Sequence, residues 1–256
     1  MELLKVENIS AGYGDKVIIE DINFTTIKSE FTALLGLNGT GKTTLLKTIS
    51  GLIKPMSGKC SINRRDISSL KEKERAQIIS YMSQRHSIVY DIKVVDVVVM
   101  GITPYLGVFE TPSKAHRETA YEMIKLMGME EYGDNNFNNL SEGQKQLIII
   151  ARNLMQNADL LLFDEPDSAL DFVNKHMVLS KIRAVVKRDN RGGLITLHDP
   201  NYALNYCDRI ILIDRGKVFV DFVTSEVDKE FLKEVFTSIY GNIEVIKHNE
   251  KFIIMR

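Results

Sequence analysis

The segment from Gly36 to Thr43, Gly-Leu-Asn-Gly-Thr-Gly-Lys-Thr, matches the pattern G-x-x-x-x-G-K-[ST]. An apolar run, FTALLG (31–36), precedes it, and a helical segment from Gly41 to about Ser50 follows. In this context the loop directs backbone N–H groups and a helix N-terminus at phosphate oxygens. The alternative is a glycine-rich turn that only caps a helix, and the strand–helix context disfavours it. The residues that we expect to bind ATP here are Gly36, Leu37, Asn38, Gly39, Thr40, Gly41, Lys42, Thr43 and Thr44.

Two of these side chains have specific predicted partners. Lys42 is expected to reach the β- and γ-phosphates, and the Thr43 hydroxyl is expected to bind Mg²⁺. A second apolar run, Leu160-Leu-Leu-Phe, ends in Asp164 and Glu165. Asp164 is expected to hold Mg²⁺ from the side opposite Thr43, and Glu165 to polarise the attacking water. Alone, the two acids could equally cap a strand end beside a proline.

Apolar strands alternate with helical segments along the chain, which predicts a parallel sheet with helices on both faces. Function in such sheets lies at the carboxyl ends of the strands. Gln84 ends the run IISYMSQ and could contact Mg²⁺ or the water. His198 ends ITLH and could hydrogen-bond a γ-phosphate or the water. Taken alone, a solvated glutamine and a partly buried histidine remain the alternatives.

Ser141-Glu-Gly-Gln144 begins a predicted helix, GQKQLIIIARNLMQ. The pattern S-x-x-Q is typical of a capping box. The same helix start could be a second anion site, with Gly143 allowing close approach of a phosphate. Both interpretations can hold together. Tyr13 lies in a Gly-Tyr-Gly turn, where its ring could stack on a base or be an ordinary turn aromatic.

Composition excludes several classes of protein. The net charge of −1 gives no attraction to nucleic acid. The two cysteines lie in no CxxC pair, so neither a disulfide framework nor a zinc site is expected. No stretch approaches the roughly 20 apolar residues that a membrane-spanning helix needs. Any membrane role must therefore depend on a partner.

These motifs in this order resemble the ATP-binding cassette (ABC) family over nearly the whole chain. GLNGTGKTT is similar to its Walker A motif, LLLFDEP to its Walker B motif with the catalytic glutamate, and LSEGQKQ (140–146) to its signature. Ser168-Ala-Leu-Asp171 resembles the D-loop. Gln84 resembles the Q-loop glutamine, His198 the switch histidine and Tyr13 the adenine-stacking aromatic.

The resemblance implies a P-loop NTPase (RecA-like) α/β core with a mainly parallel sheet, an N-terminal antiparallel β subdomain and a helical subdomain. We expect one domain, 1–256, with the core and β subdomain at about 1–84 and 159–256 and the helical subdomain at about 85–158. Glu165, His198 and Gln84 would then be catalytic, and Mg²⁺ would be bound by Thr43, Gln84 and Asp164.

The family mechanism implies a dimer with a second copy of the chain, packed head to tail. Ser141, Gly143, Gln144 and Asp171 would contact the ATP held by the partner. The helical subdomain would dock on an integral membrane permease at the cytoplasmic face of the cell membrane, with a substrate-binding protein acting indirectly. The resemblance implies no nucleic-acid partner.

Two positions depart from the family pattern. Glu142 replaces the first glycine of the usual LSGGQ signature, and its carboxylate would weaken the phosphate contact unless it points away. Asp167 replaces a usual threonine, with little expected effect. A finer similarity, in VVDVVVMGITPYLGVF (94–109) and HDPNYALNYCDRIILIDRGKV (198–218), is to cassettes that serve importers of iron chelates, haem and cobalamin.

Three other functions compete with this one. The cassette of an exporter, or of another nutrient importer, would carry identical motifs. A soluble cassette ATPase of chromosomes or ribosomes fits poorly, because the chain has neither a long heptad insert nor a second cassette. A P-loop kinase would leave LSEGQ and the D-loop without a role.

Overall fold

The computed structural model describes residues 1–84, 90–249 and 251–255. The strands in this part of the chain form a four-stranded sheet, a six-stranded sheet and a two-stranded hairpin. The first five residues of the predicted helical segment at about 85–158, which are 85–89, lie outside the described residues.

The four-stranded sheet is antiparallel and has the order β2-β1-β4-β5. Its strands are β1 (Glu2–Tyr13), β2 (Lys16–Ile27), β4 (Ser57–Ile62) and β5 (Arg65–Asp66). Val6 pairs with Phe24 on one side and with Cys60 on the other, so buried apolar residues run across the sheet. Tyr13 pairs with Lys16 at the tip of the first hairpin, which brings the predicted stacking ring to a turn. This sheet is the expected N-terminal β subdomain.

The six-stranded sheet has the order β10-β9-β3-β8-β7-β6. Its strands are β3 (Phe31–Leu35), β6 (Ile79–Met82), β7 (Leu160–Phe163), β8 (Gly192–Thr196), β9 (Arg209–Asp214) and β10 (Lys217–Val223). All pair in parallel except β10, which is antiparallel to β9. Every residue of β3, β7 and β8 is buried, as the continuous apolar runs predict for strands covered on both faces.

The register aligns the carboxyl ends of these strands. Leu34 pairs with Thr196, Phe163 with Ile195, and Met82 with Phe163. The residues that follow β3, β6, β7 and β8 therefore meet at one edge of the sheet, where the sequence places its polar clusters.

Eight α-helices occur in the described residues. They are α1 (Lys42–Ile49), α2 (Glu72–Ile78), α3 (Val94–Val99), α4 (Lys114–Leu126), α5 (Glu142–Met155), α6 (Phe172–Arg188), α7 (Pro200–Tyr206) and α8 (Lys229–Tyr240). The helices α3, α4 and α5 pack against one another and form the expected helical subdomain. The C-terminal hairpin is β11 (Glu244–His248) with β12 (Lys251–Met255).

The helical group is anchored to the sheet through α5. Ser80 of β6 donates to the backbone carbonyl of Asn153 at 3.1 Å, and Gln156 donates to the carbonyl of Ile79 at 2.9 Å. The C-terminal end of α5 is thus held at a fixed place relative to the core. None of the helices among the described residues is long and apolar enough to cross a bilayer.

The predicted helices α1 and α5 and the predicted buried strands are confirmed. The helices α2 and α6 were not predicted. The helix α2 is short and contains no buried residue, so its sequence lacks the apolar stripe on which helix prediction depends.

Candidate functional site

The glycine-rich loop joins β3 to α1 in a conformation that requires glycine. Gly36 has φ of 143° and Gly41 has φ of 102°, in the region that other residues rarely adopt. A Cβ atom at Gly36 would lie 2.2 Å from the carbonyl oxygen of Ile213, and one at Gly41 would lie 2.3 Å from a methyl group of Ile19. The conformation of the loop therefore requires a glycine at each end, Gly36 and Gly41, as the pattern predicts.

Lys42 is buried and its ammonium points back into the loop. Its Nζ donates to the carbonyl oxygens of Gly36 at 2.8 Å and Leu37 at 3.0 Å. Burial lowers the pKa of Lys42, and the negative charges of Glu165 and Asp164 oppose that change. Since the cation is desolvated and lies inside the loop that begins α1, it is placed to favour an anion.

Asp164 follows β7 and is 1% exposed. Its Oδ1 accepts hydrogen bonds from the hydroxyls of Thr43 and Thr196, each at 3.0 Å, and its Oδ2 accepts one from the Tyr81 hydroxyl at 3.3 Å. Burial raises the pKa of this carboxyl, although the three hydroxyl donors act against the shift. Asp164 and Thr43, the two residues that were expected on opposite sides of Mg²⁺, are therefore in direct contact.

Glu165 has a strained backbone and a fully engaged carboxylate. Its φ of 50° is unusual for a residue other than glycine, and its backbone N–H donates to Thr196 at 2.8 Å. Gln84 Nε2 lies 2.5 Å from Glu165 Oε2, and His198 Nε2 lies 2.8 Å from Oε1. The tertiary structure thus brings the three predicted catalytic residues together.

Tyr13 lies beside the phosphate loop, with 52% of its surface exposed. It lines a cavity of about 250 Å³ that also contains the loop, the start of α1 and Glu165. The residues that line this cavity are Tyr13, Ile18, Asn38, Gly39, Gly41, Lys42, Thr43, Thr44 and Glu165. Gly36, Leu37 and Thr40 complete the loop outside the lining; the Thr40 hydroxyl donates to the carbonyl of Leu37 at 2.9 Å.

Ser141 and Gln144 form the predicted capping box at the start of α5. Ser141 Oγ accepts from the Gln144 N–H at 3.3 Å, and the Ser141 N–H donates to Gln144 Oε1 at 3.0 Å. Glu142 is directed outward, with 81% of its side chain exposed, and pairs with Lys145 at 2.8 Å. Gly143 lies against the loop after Glu165, because a Cβ there would be 3.2 Å from the carbonyl oxygen of Ala169.

Asp171 caps α6, since its carboxylate accepts from the N–H of Asn174 at 2.8 Å. The described residues that line the 250 Å³ cavity do not include Asp171, Ser141, Gly143 or Gln144.

Asp167 is more constrained than its place in the sequence suggests. It is 5% exposed, its Oδ2 lies 3.6 Å from Lys175 Nζ, and its Oδ1 has no hydrogen-bond partner within the described structure. Burial raises the pKa of Asp167, and Lys175 only partly offsets the effect. A buried carboxylate with one unpaired oxygen is costly.

The sequence did not predict the roles of Tyr81 and Thr196 as partners of Asp164. Tyr81 lies on β6, and Thr196 ends β8. Alternation along a strand puts Thr196 on the same side as His198, and this is the signal that could have identified it. Gln146 was also missed; its side chain donates to the carbonyl of Pro166 at 2.8 Å and ties α5 to the loop after Glu165.

A glycine loop that begins a helix, an inward-pointing lysine, and a buried carboxylate on the hydroxyl that follows it define a P-loop nucleoside-triphosphatase site. Comparison with known proteins agrees. A family model described as ABC transporter matches residues 19–168. The probable iron chelatin transport ATP-binding protein of Helicobacter pylori is 32% identical, with 98% of each chain covered. The phosphonates import ATP-binding protein of Treponema denticola is 34% identical over 93% of this chain and 96% of its own length.

Solved structures give the same result. A metal-chelate type ABC transporter in an inward-facing conformation superposes with a TM-score of 0.83 at 27% identity, covering 99% of this chain and 96% of that one. A dimeric ATP-binding cassette bound to ADP and Pi superposes with a TM-score of 0.77 at 26% identity, covering 87% and 99%. This chain belongs to the ABC transporter family and is its ATP-hydrolysing domain.

Proposed function

We propose that this chain powers an importer of metal chelates of the iron-siderophore, haem or cobalamin type. The observation that carries the ATP-hydrolysing part of the proposal is the convergence of Gln84, Glu165 and His198 beside the phosphate loop. It supplies a hydrolytic site. The iron chelatin relative and the metal-chelate transporter, each matched over nearly its whole length, support the substrate class.

ATP would bind in the cavity beside Tyr13. The Tyr13 ring offers a half-exposed face for the adenine, and the loop amides with Lys42 offer the phosphate site. The full set of proposed ATP-binding residues is Tyr13 with Gly36 through Thr44.

Magnesium fits the donors that are present. Thr43 and Asp164 present a hydroxyl and a carboxylate 3.0 Å apart, and these oxygen ligands with substrate phosphates are the set that Mg²⁺ prefers. Burial destabilises the charge on Asp164, which a cation would offset. Gln84 would complete the protein ligands. When bound, Mg²⁺ neutralises negative charge on the phosphates.

Glu165 would act as the general base in hydrolysis. The water oxygen forms a bond to the γ-phosphorus, the bond from that phosphorus to the bridging oxygen of ADP breaks, and Glu165 accepts the proton from the water. His198 and Gln84 hold the two carboxylate oxygens and so fix the direction in which Glu165 accepts the proton. The products are ADP and inorganic phosphate.

A second copy would complete each site. The start of α5, with Ser141, Gly143 and Gln144, would contact the γ-phosphate held at the partner's Lys42, and Asp171 would lie at the same interface. The dimeric cassette with ADP and Pi supports this assembly. Because Gly143 and Gln146 connect α5 to the loop after Glu165, movement at one site would reach the other.

Residues 85–158 would form the helical subdomain that docks on a permease at the cytoplasmic face of the cell membrane, with 1–84 and 159–256 as the core and β subdomain. A substrate-binding protein would act indirectly, by delivering the chelate. The tagged chain, extracted from membranes in detergent, should co-purify with one polytopic permease. Proteoliposomes of that complex should take up a ferric chelate when ATP is supplied, and complexes with Lys42→Ala should not.

The second candidate is an importer of another nutrient, and the phosphonate-import relative favours it. The same proteoliposomes distinguish the two. Uptake of a radiolabelled phosphonate without uptake of ferric hydroxamate, haem or cobalamin would replace the chelate proposal. Outward movement of substrate from loaded vesicles would indicate an exporter.

A further inference from the structure

Thr196 lies between the two acids of the site. It is the last residue of β8 and is fully buried. Its Oγ1 is 3.0 Å from Asp164 Oδ1 and 2.8 Å from the backbone nitrogen of Glu165. One hydroxyl therefore contacts the side chain of the first acid and the main chain of the second.

The direction of both hydrogen bonds follows from the chemistry of the groups. A backbone N–H can only donate, so Thr196 Oγ1 accepts from Glu165. The single hydroxyl hydrogen is then left for the carboxylate of Asp164, which accepts. Both capacities of the hydroxyl are used, and neither bond can form if the hydroxyl is replaced by a methyl group.

The backbone of Glu165 depends on this contact. With φ of 50°, the residue occupies a region that the surrounding structure has to impose. Thr196 holds its N–H at 2.8 Å, and His198, two residues further along, holds its carboxylate at 2.8 Å. Thr196 at the end of β8 thus contacts the main chain of Glu165, and His198 just beyond β8 contacts its side chain.

The position of Asp164 depends on it as well. Thr43, Thr196 and Tyr81 are its hydroxyl partners. If Thr43 turns its hydroxyl to Mg²⁺, Thr196 and Tyr81 are the hydroxyls that continue to orient the carboxylate. Thr196 also accepts the hydrogen bond from the backbone N–H of Glu165.

We propose that Thr196 is a positioning residue that fixes the Asp164 carboxylate relative to the Glu165 main chain, and so couples metal binding to proton abstraction. The proposal deepens the catalytic assignment above and rests on it. Neither the nucleotide nor the water needs to touch Thr196.

The test compares Thr196→Val, which keeps the shape and removes the hydroxyl, with Thr196→Ser, which keeps the hydroxyl. Thr32→Val is the matched control, because Thr32 is a fully buried threonine of the neighbouring strand β3 whose hydroxyl donates to Glu30 instead. For each purified variant, kcat and KM for ATP are measured, with the affinity for a fluorescent ATP analogue in EDTA and across a Mg²⁺ titration.

We expect Thr196→Val to lower kcat about tenfold to a hundredfold, as small misplacements of catalytic groups do. The Mg²⁺ concentration for half-maximal binding should rise, while KM and the affinity in EDTA stay within about twofold of wild type. Thr196→Ser should restore both quantities to near wild type, and Thr32→Val should change neither.

Wild-type kcat and Mg²⁺ dependence in Thr196→Val would overturn the proposal, and so would a Thr196→Ser variant as defective as Thr196→Val. If Thr196→Val does not fold, Thr196→Ala makes the same comparison without placing a methyl group against the carboxylate. Glu165→Gln, measured alongside, distinguishes a failure of the base assignment from a failure of the role proposed for Thr196. If Glu165→Gln hydrolyses ATP at the wild-type rate, the base assignment is refuted. If Glu165→Gln is slow and Thr196→Val hydrolyses ATP at the wild-type rate, only the role of Thr196 is refuted.

Discussion

His198 and Glu165 are in direct contact, with Nε2 of the histidine 2.8 Å from Oε1 of the carboxylate. Gln84 contacts the other oxygen at 2.5 Å. A water molecule that gives its proton to Glu165 therefore has to share the carboxylate with two side chains from neighbouring strand ends. This arrangement leads to specific expectations for each member.

Replacing Glu165 with glutamine should abolish turnover while preserving ATP binding. The amide keeps the size of the side chain but cannot take a proton, and loss of a general base costs about 10²–10⁴-fold in rate. In the presence of ATP, the variant should then accumulate as a dimer that size-exclusion chromatography resolves from the monomer. Glu122→Gln, an exposed glutamate of α4, is the control. Turnover near the wild-type rate would show that Glu165 is not the base.

Replacing Lys42 with alanine should reduce nucleotide affinity at least tenfold, because a buried cation that faces the loop amides is removed. Titration with a fluorescent ATP analogue measures the loss. Lys47→Ala, on the same helix α1, controls for general effects of removing a lysine. Unchanged affinity in Lys42→Ala would contradict the phosphate-loop assignment.

Replacing His198 with alanine should slow hydrolysis about tenfold to a hundredfold without blocking ATP binding, because Glu165 loses the partner of Oε1. Steady-state ATPase rates and the same fluorescent titration separate the two effects. His248→Ala, in the C-terminal hairpin, should be neutral. Full activity in His198→Ala would mean that the contact is only structural.

Replacing Glu142 with glutamine should strengthen the ATP-bound dimer about threefold to tenfold. The change removes a negative charge at the helix start that is proposed to face the partner's phosphate, and like charges there repel. The dimer dissociation constant is measured in the Glu165→Gln background. The gain should shrink as salt is added, since screening weakens exposed charges. A weaker dimer would show that Glu142 assists the contact.

Replacing Asp167 with asparagine should stabilise the protein at high pH and not at low pH. The pKa of Asp167 is raised by burial from its ordinary value of 3.8. The folded state therefore favours the protonated form of Asp167. The stability that this protonation contributes to wild type is fully present below pH 3.8 and is lost as pH rises through the pKa of Asp167 in the folded state.

Thermal unfolding at pH 4, 6 and 8 measures this effect. We expect Asp167→Asn to raise the free energy of unfolding by about 1 kcal/mol at pH 8, or Tm by about 2–4 °C. This gain should shrink toward pH 4. Lys175→Met should destabilise wild type more than Asp167→Asn, because only wild type has the pair to lose. A lower Tm for Asp167→Asn at pH 8 would mean that the Lys175 pair outweighs desolvation.

Much of the site could be predicted because its motifs are contiguous. The phosphate loop needs only Gly36 and Gly41 in sequence with Lys42 and Thr43, since a strand, a tight turn and a helix fix that geometry locally. The capping box of Ser141 and Gln144 is equally local, being an i, i+3 contact within one helical turn. The buried strands were predictable because unbroken apolar runs need cover on both faces.

The amino-acid sequence alone thus determined the conformation of the phosphate loop, the starts of α1 and α5, and the α/β class. The tertiary structure decided which distant residues meet. Gln84, Glu165 and Thr196 follow or end β6, β7 and β8, which are adjacent in the sheet although long helical segments separate them in the chain. Strand order depends on packing of the whole core rather than on local preference. Alternation could place Thr196 on the same side of its strand as His198, but only the folded molecule shows that Tyr81 and Thr196 both contact Asp164.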